Sequence, residues 1–198
     1  QRIIAQLEPW VETAEPFILV GNEGCGKDLM IRHVFAQKRK INVAIISCSA
    51  QTEAAHVIAK IGQCCSLFSA PDGRVYRPRD CERLVLYLKD LNLPKPDMYD
   101  TSMLIAFLQQ LLTFGGFYDK NLEFLRIERI QIVASMNPAT TSGRHTLSTR
   151  FTAAVRICCL DYPSTQELTI IYENMLKAAR DFGKSNMGKL KVLIKHYN

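Results

Sequence analysis

The segment Gly21-Asn22-Glu23-Gly24-Cys25-Gly26-Lys27-Asp28 meets the pattern G-x-x-x-x-G-K-[ST] at every position but the last, where Asp28 stands for Ser or Thr. The apolar run Phe17-Ile18-Leu19-Val20 precedes it and reads as a buried strand; Leu29 to Gln37 follows and reads as a helix. Strand, glycine-rich loop and helix in that order constrain the fold more than any other feature of the chain. Loop amides at a helix N-terminus point at an anion, and glycines let the backbone come close to it. The residues Gly21, Asn22, Glu23, Gly24, Cys25, Gly26, Lys27, Asp28 and Leu29 therefore form a candidate phosphate cradle, with Lys27 reaching the outer phosphates. The hydroxyl that Asp28 replaces ordinarily binds Mg²⁺. The motif thus speaks for nucleotide binding more strongly than for hydrolysis.

The rest of the chain repeats the alternation. Arg2 to Val11 has apolar residues at 3, 4, 7, 10 and 11, a helical period. Asn42 to Cys48 reads as a second strand, and a helix starting at Ser49-Ala50-Gln51-Thr52 is expected to run through about Cys64. Asp72-Gly73 predicts a turn between Leu67-Phe68 and Val75-Tyr76, hence a hairpin insertion. Arg83 to Leu88 is a third buried strand. Ser102 to Phe114 is an apolar helix with Thr101 as its expected cap, and Gly115 to Arg129 a second hairpin. Ile130 to Ser135 is a fourth strand, Thr146 to Thr149 a short turn of helix, and Ala153 to Cys159 a fifth strand. A helix starting near Pro163 is expected to run to about Arg180, followed by a break from Gly183 to Gly188 and a further helix from Lys189 to Tyr197. The predicted fold class is α/β: a five-stranded parallel sheet with helices on both faces and hairpins inserted at two places. Residues 1–182 are expected to form the α/β unit, and 183–198 a linker and the start of a helical lid. The chain begins without Met and ends after a helical pattern with no stop signal, so a piece of a longer chain is expected.

Composition narrows the class. Nearly half the residues are apolar and 22% are charged, the balance of an ordinary globular domain. No apolar run approaches the roughly 18 residues of a membrane span, and the amphipathic start is not a signal peptide. The net charge of +6 comes without a Lys/Arg cluster interleaved with aromatics, so neither nucleic acid nor membrane is an expected partner. The seven cysteines lack metal-ligand or framework spacing; most read as small buried apolar residues.

In a parallel α/β fold the ligand lies at the carboxyl ends of the strands. The third strand ends in Lys89-Asp90, where a P-loop ATPase carries an Asp for Mg²⁺ and then an acid for the attacking water. The metal position has become a cation, and Asp90 stands where the acid would. Asn137 follows the fourth strand, suited to a γ-phosphate or a water, although Asn before Pro is also ordinary turn chemistry. Arg144 and Arg150 are candidates for an arginine aimed at a neighbour's phosphate, or for surface ion pairs. Trp10 and Val11 are candidate walls for an adenine.

These residues resemble an AAA+ module. Asp90-Leu91-Asn92-Leu93-Pro94 and Gly143-Arg144-His145-Thr146-Leu147-Ser148-Thr149-Arg150-Phe151 are similar to stretches of dynein heavy chains. Gly24-Cys25-Gly26-Lys27, Gly73 to Pro78, Leu84 to Asp90 and Gln131 to Met136 look like the third AAA+ module of cytoplasmic dyneins of the intraflagellar-transport type. The resemblance, over about residues 10 to 175, implies a module that binds ADP or ATP, with Asp90, Asn137 and, in trans, Arg150 as the catalytic set. It implies neighbouring modules of the same heavy chain as partners, and microtubules and other dynein subunits only through the parent, a minus-end-directed motor for retrograde ciliary transport in the cytoplasm, cytoskeleton and cilium. Asp28 and Lys89 depart from the family pattern, and both departures remove Mg²⁺ ligands. Weak or absent hydrolysis is the expectation; an active ATPase and a vestigial scaffold with an empty pocket are the alternatives.

Overall fold

The computed structural model describes residues 2–71, 73–99 and 101–196, those from 181 onward by backbone alone. The chain divides into two compact units, Gln1–Leu160 and Asp161–Asn198. In the first unit the elements run α1 (Arg2–Glu12), β1 (Phe17–Gly21), α2 (Lys27–Ala36), β2 (Ile41–Ser47), α3 (Ala54–Cys64), β3 (Cys65–Ala70), β4 (Gly73–Pro78), β5 (Arg83–Lys89), α4 (Met103–Phe114), β6 (Gly116–Tyr118), β7 (Phe124–Ile127), β8 (Ile130–Met136), α5 (Thr149–Thr152) and β9 (Arg156–Leu160). Five strands make one sheet in the order β2-β5-β8-β1-β9, every neighbouring pair parallel. Fold class and strand count agree with the alternation read from the sequence.

Burial on both faces explains the continuous apolar strands. Side chains alternate along a strand, so β5 sends Leu84, Leu86 and Leu88 into one cluster and Val85 and Tyr87 into the other. The first cluster is completed by Val57 and Ile61 of α3 and by Leu104, Leu108 and Leu111 of α4. Leu7 and Val11 of α1 and Ile31, Val34 and Phe35 of α2 complete the second. Trp10 packs on Phe17 with ring centroids 5.9 Å apart, and Val11 is buried in the core. Neither serves as an open wall of the cleft described below.

Several boundaries differ from expectation, each for a local reason. Residues 49–52 form a turn, in which the Ser49 amide donates to Thr52 Oγ1 at 2.8 Å; α3 starts only at Ala54, after Glu53, whose amide donates to His56 Nδ1. Ser102, not Thr101, precedes α4, because the amides of Thr101 and Tyr99 are held by Asp97 Oδ1 in a loop. The short helix lies at Thr149–Thr152, capped by the Ser148 hydroxyl, rather than at 146–149. The last strand starts at Arg156, not Ala153, because Arg156 pairs with Phe17 at the start of β1.

Both hairpins form, and they join. β4 pairs in parallel with β7, so β3-β4-β7-β6 is a second sheet, with Arg77 Nε donating to Glu128 across it at 2.8 Å. Ala70 pairs with Gly73, which adopts φ 117°; Asp72, half of the expected turn, lies outside the described residues. In the second unit Ser164 and Glu167 form a capping box at the start of α6 (Thr165–His196). The break expected at 183–188 falls within the span of that helix.

One buried polar group ties the start of the chain to the sheet. Gln131 of β8, 1% exposed, donates through Nε2 to the carbonyls of Trp10 and Glu15, at 3.0 and 2.8 Å. Replacement by Leu leaves the Glu15 carbonyl without that donor. Gln131→Leu should lower stability by about 1–2 kcal/mol, read as a lower urea midpoint at unchanged slope.

Candidate functional site

At the end of β1 the chain turns sharply, and Gly21 is there because nothing larger fits. A Cβ on it would stand 2.6 Å from the Leu160 carbonyl oxygen of β9 and 2.7 Å from Cys25 Sγ. Gly24 and Gly26 adopt φ 78° and 88°, in the left-handed region that other residues enter at a cost, and a Cβ on either would point into open space. The loop backbone thus lies bare on its outer side. Helix α2 begins at once, its first helical bond running from the Met30 amide to the Gly26 carbonyl, so the amides of Lys27, Asp28 and Leu29 have no partner within the helix. These amides, the positive end of the helix dipole and Lys27 form an anion cradle built only from local sequence.

Tertiary structure brings the other groups. Parallel pairing places the ends of β5 and β8 beside that of β1, and an open cleft of about 570 Å³ lies among them. Glu23, Gly24, Gly26, Lys27, Asp28, Leu29, Lys89, Asp90, Asn137 and Arg144 line it, with Tyr87 and Ser135 at its floor. Lys27 Nζ donates to the Gly21 and Asn22 carbonyls at 2.7 and 2.8 Å and to Asn137 Oδ1 at 2.9 Å. The amide nitrogen of Asn137 donates to Glu23 Oε1 at 3.0 Å. Asn92, fully buried, donates to the Asn137 carbonyl at 2.8 Å and so fixes the backbone that carries Asn137.

Asp90 adopts φ 56°, and its carboxylate meets Arg144 Nη2 at 3.1 Å, a distance of direct ion pairing. Only 12% of the Arg144 side chain is exposed, and the same nitrogen lies 3.9 Å from Glu23. Arg144 thus belongs to this module's own cleft. Arg150 does not: it is exposed on α5 and lines a separate cavity of about 290 Å³ with Asn92, His145 and the start of α4. Of the residues expected from the sequence, Gly21, Asn22 and Cys25 form the back of the loop and the remainder of the loop faces the cleft.

Three partners were not foreseen. Glu23 as the acceptor of Asn137 and Arg144 as the partner of Asp90 sit far apart in sequence, and no spacing signals either contact. Tyr87 lies fully buried beneath the cleft with its hydroxyl 2.9 Å from Ser135 Oγ; burial pushes its phenol up to about 12. A polar residue in the middle of an otherwise apolar strand was the available clue.

All seven cysteines are free, and among the described residues no group of three or more His, Cys, Asp or Glu could hold a metal. No helix of the described residues is long and apolar enough to cross a membrane. Cys48 lies next to the cleft: its amide donates to the Lys89 carbonyl at 2.9 Å. Burial, and secondarily the charge of Asp90, pushes its thiol up to about 12 from an ordinary 9.0.

Comparison with known proteins adds an independent line. A family model described as the P-loop containing dynein motor region matches residues 1–163. The chain is 55% identical over 180 residues to cytoplasmic dynein 2 heavy chain 1 of Rattus norvegicus, covering 90% of this chain and 4% of that protein. Against the protein of the same name from Chlamydomonas reinhardtii it is 49% identical over 173 residues, 87% of this chain and 4% of the relative. For Caenorhabditis elegans the figures are 40% over 178 residues, 89% and 4%. The chain therefore spans about 4% of the length of these relatives.

The raised thiol of Cys48 gives a pH prediction. Its contribution to stability is complete below pH 9.0, where folded and unfolded thiols are both neutral, and is lost as pH rises toward about 12, because the unfolded thiol ionises first. Thermal midpoints should fall over that window. Cys48→Ser should flatten the fall, by at most about 1.4 kcal/mol per pH unit.

Proposed function

The chain belongs to the family of P-loop-containing dynein motor regions, and from that premise we propose that it is a regulatory nucleotide-binding module that holds ADP or ATP with little or no turnover. The observation that carries this is the phosphate loop itself: positive-φ glycines, first-turn amides without helical partners, and Lys27 held at the same point as Asn137. Nucleotide phosphate would be held by the amides from Gly24 to Leu29 and by Lys27, whose present acceptors are neutral oxygens that an anion would outcompete.

Low turnover is supported by the state of the acid. A catalytic carboxylate has to accept hydrogen bonding from the attacking water, and Asp90 is instead ion-paired with Arg144. Asn137 likewise has its side-chain amide and oxygen engaged, by Glu23 and Lys27. Arg150, exposed and outside this cleft, fits the role of a group acting on the nucleotide of a neighbouring module. We infer further, from the sequence resemblance, that the chain is the third AAA+ module, residues 1–182 the large subdomain and 183–198 the opening of the lid. The parent would then be a minus-end-directed microtubule motor of retrograde ciliary transport.

Binding of a fluorescent ADP or ATP analogue, together with phosphate release, tests the reading. Lys27→Ala should weaken binding about tenfold or more, the loss of one charged hydrogen-bonding group. Phosphate release should stay at background in the wild type and be unmoved by Asp90→Asn. Turnover that Asp90→Asn abolishes would instead identify an active ATPase, and absence of binding in an intact ring a vestigial scaffold.

A further inference from the structure

We propose that Lys89 takes the place of a divalent cation in this cleft, as a fixed ammonium that binds nucleotide phosphate without metal; this rests on the nucleotide-holding reading above. In a P-loop site Mg²⁺ is held by the hydroxyl after the loop lysine and by a carboxylate at the end of a neighbouring strand, and it bridges phosphate oxygens. The corresponding residues here are Asp28 and Lys89, and their side chains meet. Lys89 Nζ lies 3.3 Å from Asp28 Oδ1, while Asp28 Oδ2 accepts from Arg32 Nε at 2.9 Å, one helical turn away. Arg32, Asp28 and Lys89 form a row of alternating charge running from α2 to the end of β5.

Magnesium does not fit this donor set. It requires a near-octahedral shell of oxygens, and each carboxylate of the cleft is already engaged. Asp28 is held by Lys89 and Arg32, Asp90 by Arg144 at 3.1 Å, and Glu23 by the Asn137 amide at 3.0 Å. A divalent ion on Asp28 would also sit beside an ammonium in contact with the same carboxylate, where like charges repel.

A phosphate does fit. Asp28 Oδ1 is buried and has no hydrogen-bond partner, so at that oxygen the ion contact with Lys89 supplies the compensating charge, as Arg32 does at Oδ2. Lys89 is fixed by its backbone: it pairs with Ser47 of β2, and its carbonyl accepts the Cys48 amide. Its side chain is 29% exposed and faces the cleft that Lys27 and Asn137 line. An ammonium carries three donors, and Asp28 engages it at one side, leaving donors for a phosphate oxygen. Arg32, outside the cleft lining, offsets part of the Asp28 charge, so Asp28 does not fully neutralise the Lys89 ammonium that faces an anion. Asp28 is thus a positioning residue that aims Lys89, and Arg32 holds Asp28 from behind.

The test uses the heavy chain that contains this segment, with photocrosslinking by 8-azido-ADP quantified on peptides from residues 1–89, which carry the phosphate loop and Lys89 and leave out the Arg150 face. Half-saturation should agree within about twofold in Mg²⁺ and in EDTA. Lys89→Met should weaken labelling about tenfold in both, and Lys89→Arg, which keeps the charge, should restore most of it. The pair Asp28→Ser with Lys89→Asp rebuilds the usual ligands and should make labelling depend on Mg²⁺ by about tenfold or more. Loss of wild-type labelling by tenfold in EDTA, or equal labelling of Lys89→Met and wild type, overturns the proposal while leaving nucleotide binding intact. Absence of wild-type labelling on these peptides under both conditions overturns the nucleotide-holding reading itself.

Discussion

Everything in the cleft depends on the parallel pairing of β1 between β8 and β9. Phe17 to Val20 match Val133 to Met136 on one side, and Phe17 to Gly21 match Arg156 to Leu160 on the other. Register of this kind is set by burial, since a slip of one residue would exchange the two faces of the strand, and both faces here are core. The pairing brings the β1 carbonyl end level with Asn137, one residue past the end of β8, and within one strand of Lys89-Asp90 at the end of β5. It also presses Gly21 so close to the Leu160 carbonyl that a methyl group there would collide.

On that frame the cleft is organised by charge pairing rather than by open ligand positions. Lys27 rests on two carbonyls and Asn137, Asp28 lies between Arg32 and Lys89, and Arg144 bridges toward Asp90 and Glu23. Such partly buried pairs are costly to break singly, because the partner left behind is uncompensated. An incoming polyanion can take Lys27 from its neutral acceptors and use the remaining donors of Lys89 while Asp28 and Asp90 keep their partners. This charge pairing supports the proposed nucleotide-holding role over metal-assisted hydrolysis.

The legibility of the chain follows the range of the interactions. The loop, its flanking strand and helix, and the alternation of β5 and β8 could be read directly, because hydrophobic period and glycine placement are local. Element starts were read less well. Thr101 looked like a cap but is taken up by Asp97, and residues 49–52 looked helical but close a turn on Thr52. In each case a side chain a few residues away competes for the backbone amide, and several outcomes are locally equivalent. The joining of two hairpins into one sheet was illegible, since β4 and β7 are separated by a strand, a helix and a further strand.

By itself the sequence determined that this protein carries a glycine-rich P-loop pattern on an α/β sheet, that Asp28 and Lys89 stand where that pattern and its neighbouring strand end usually carry other residues, and that its motifs are those of dynein motor regions. Those are properties of residue type and spacing. Tertiary structure decided what the altered residues do to one another. Asp28 and Lys89, sixty-one positions apart by their numbers, read separately as two lost ligands; folded, they are a contact of 3.3 Å. Arg144 read as a candidate for a neighbour's nucleotide and proved to face its own Asp90, whereas Arg150 was set apart on α5. The physical reason is that the carboxyl ends of parallel strands converge in space without being adjacent in sequence, so only the folded sheet fixes which charges meet.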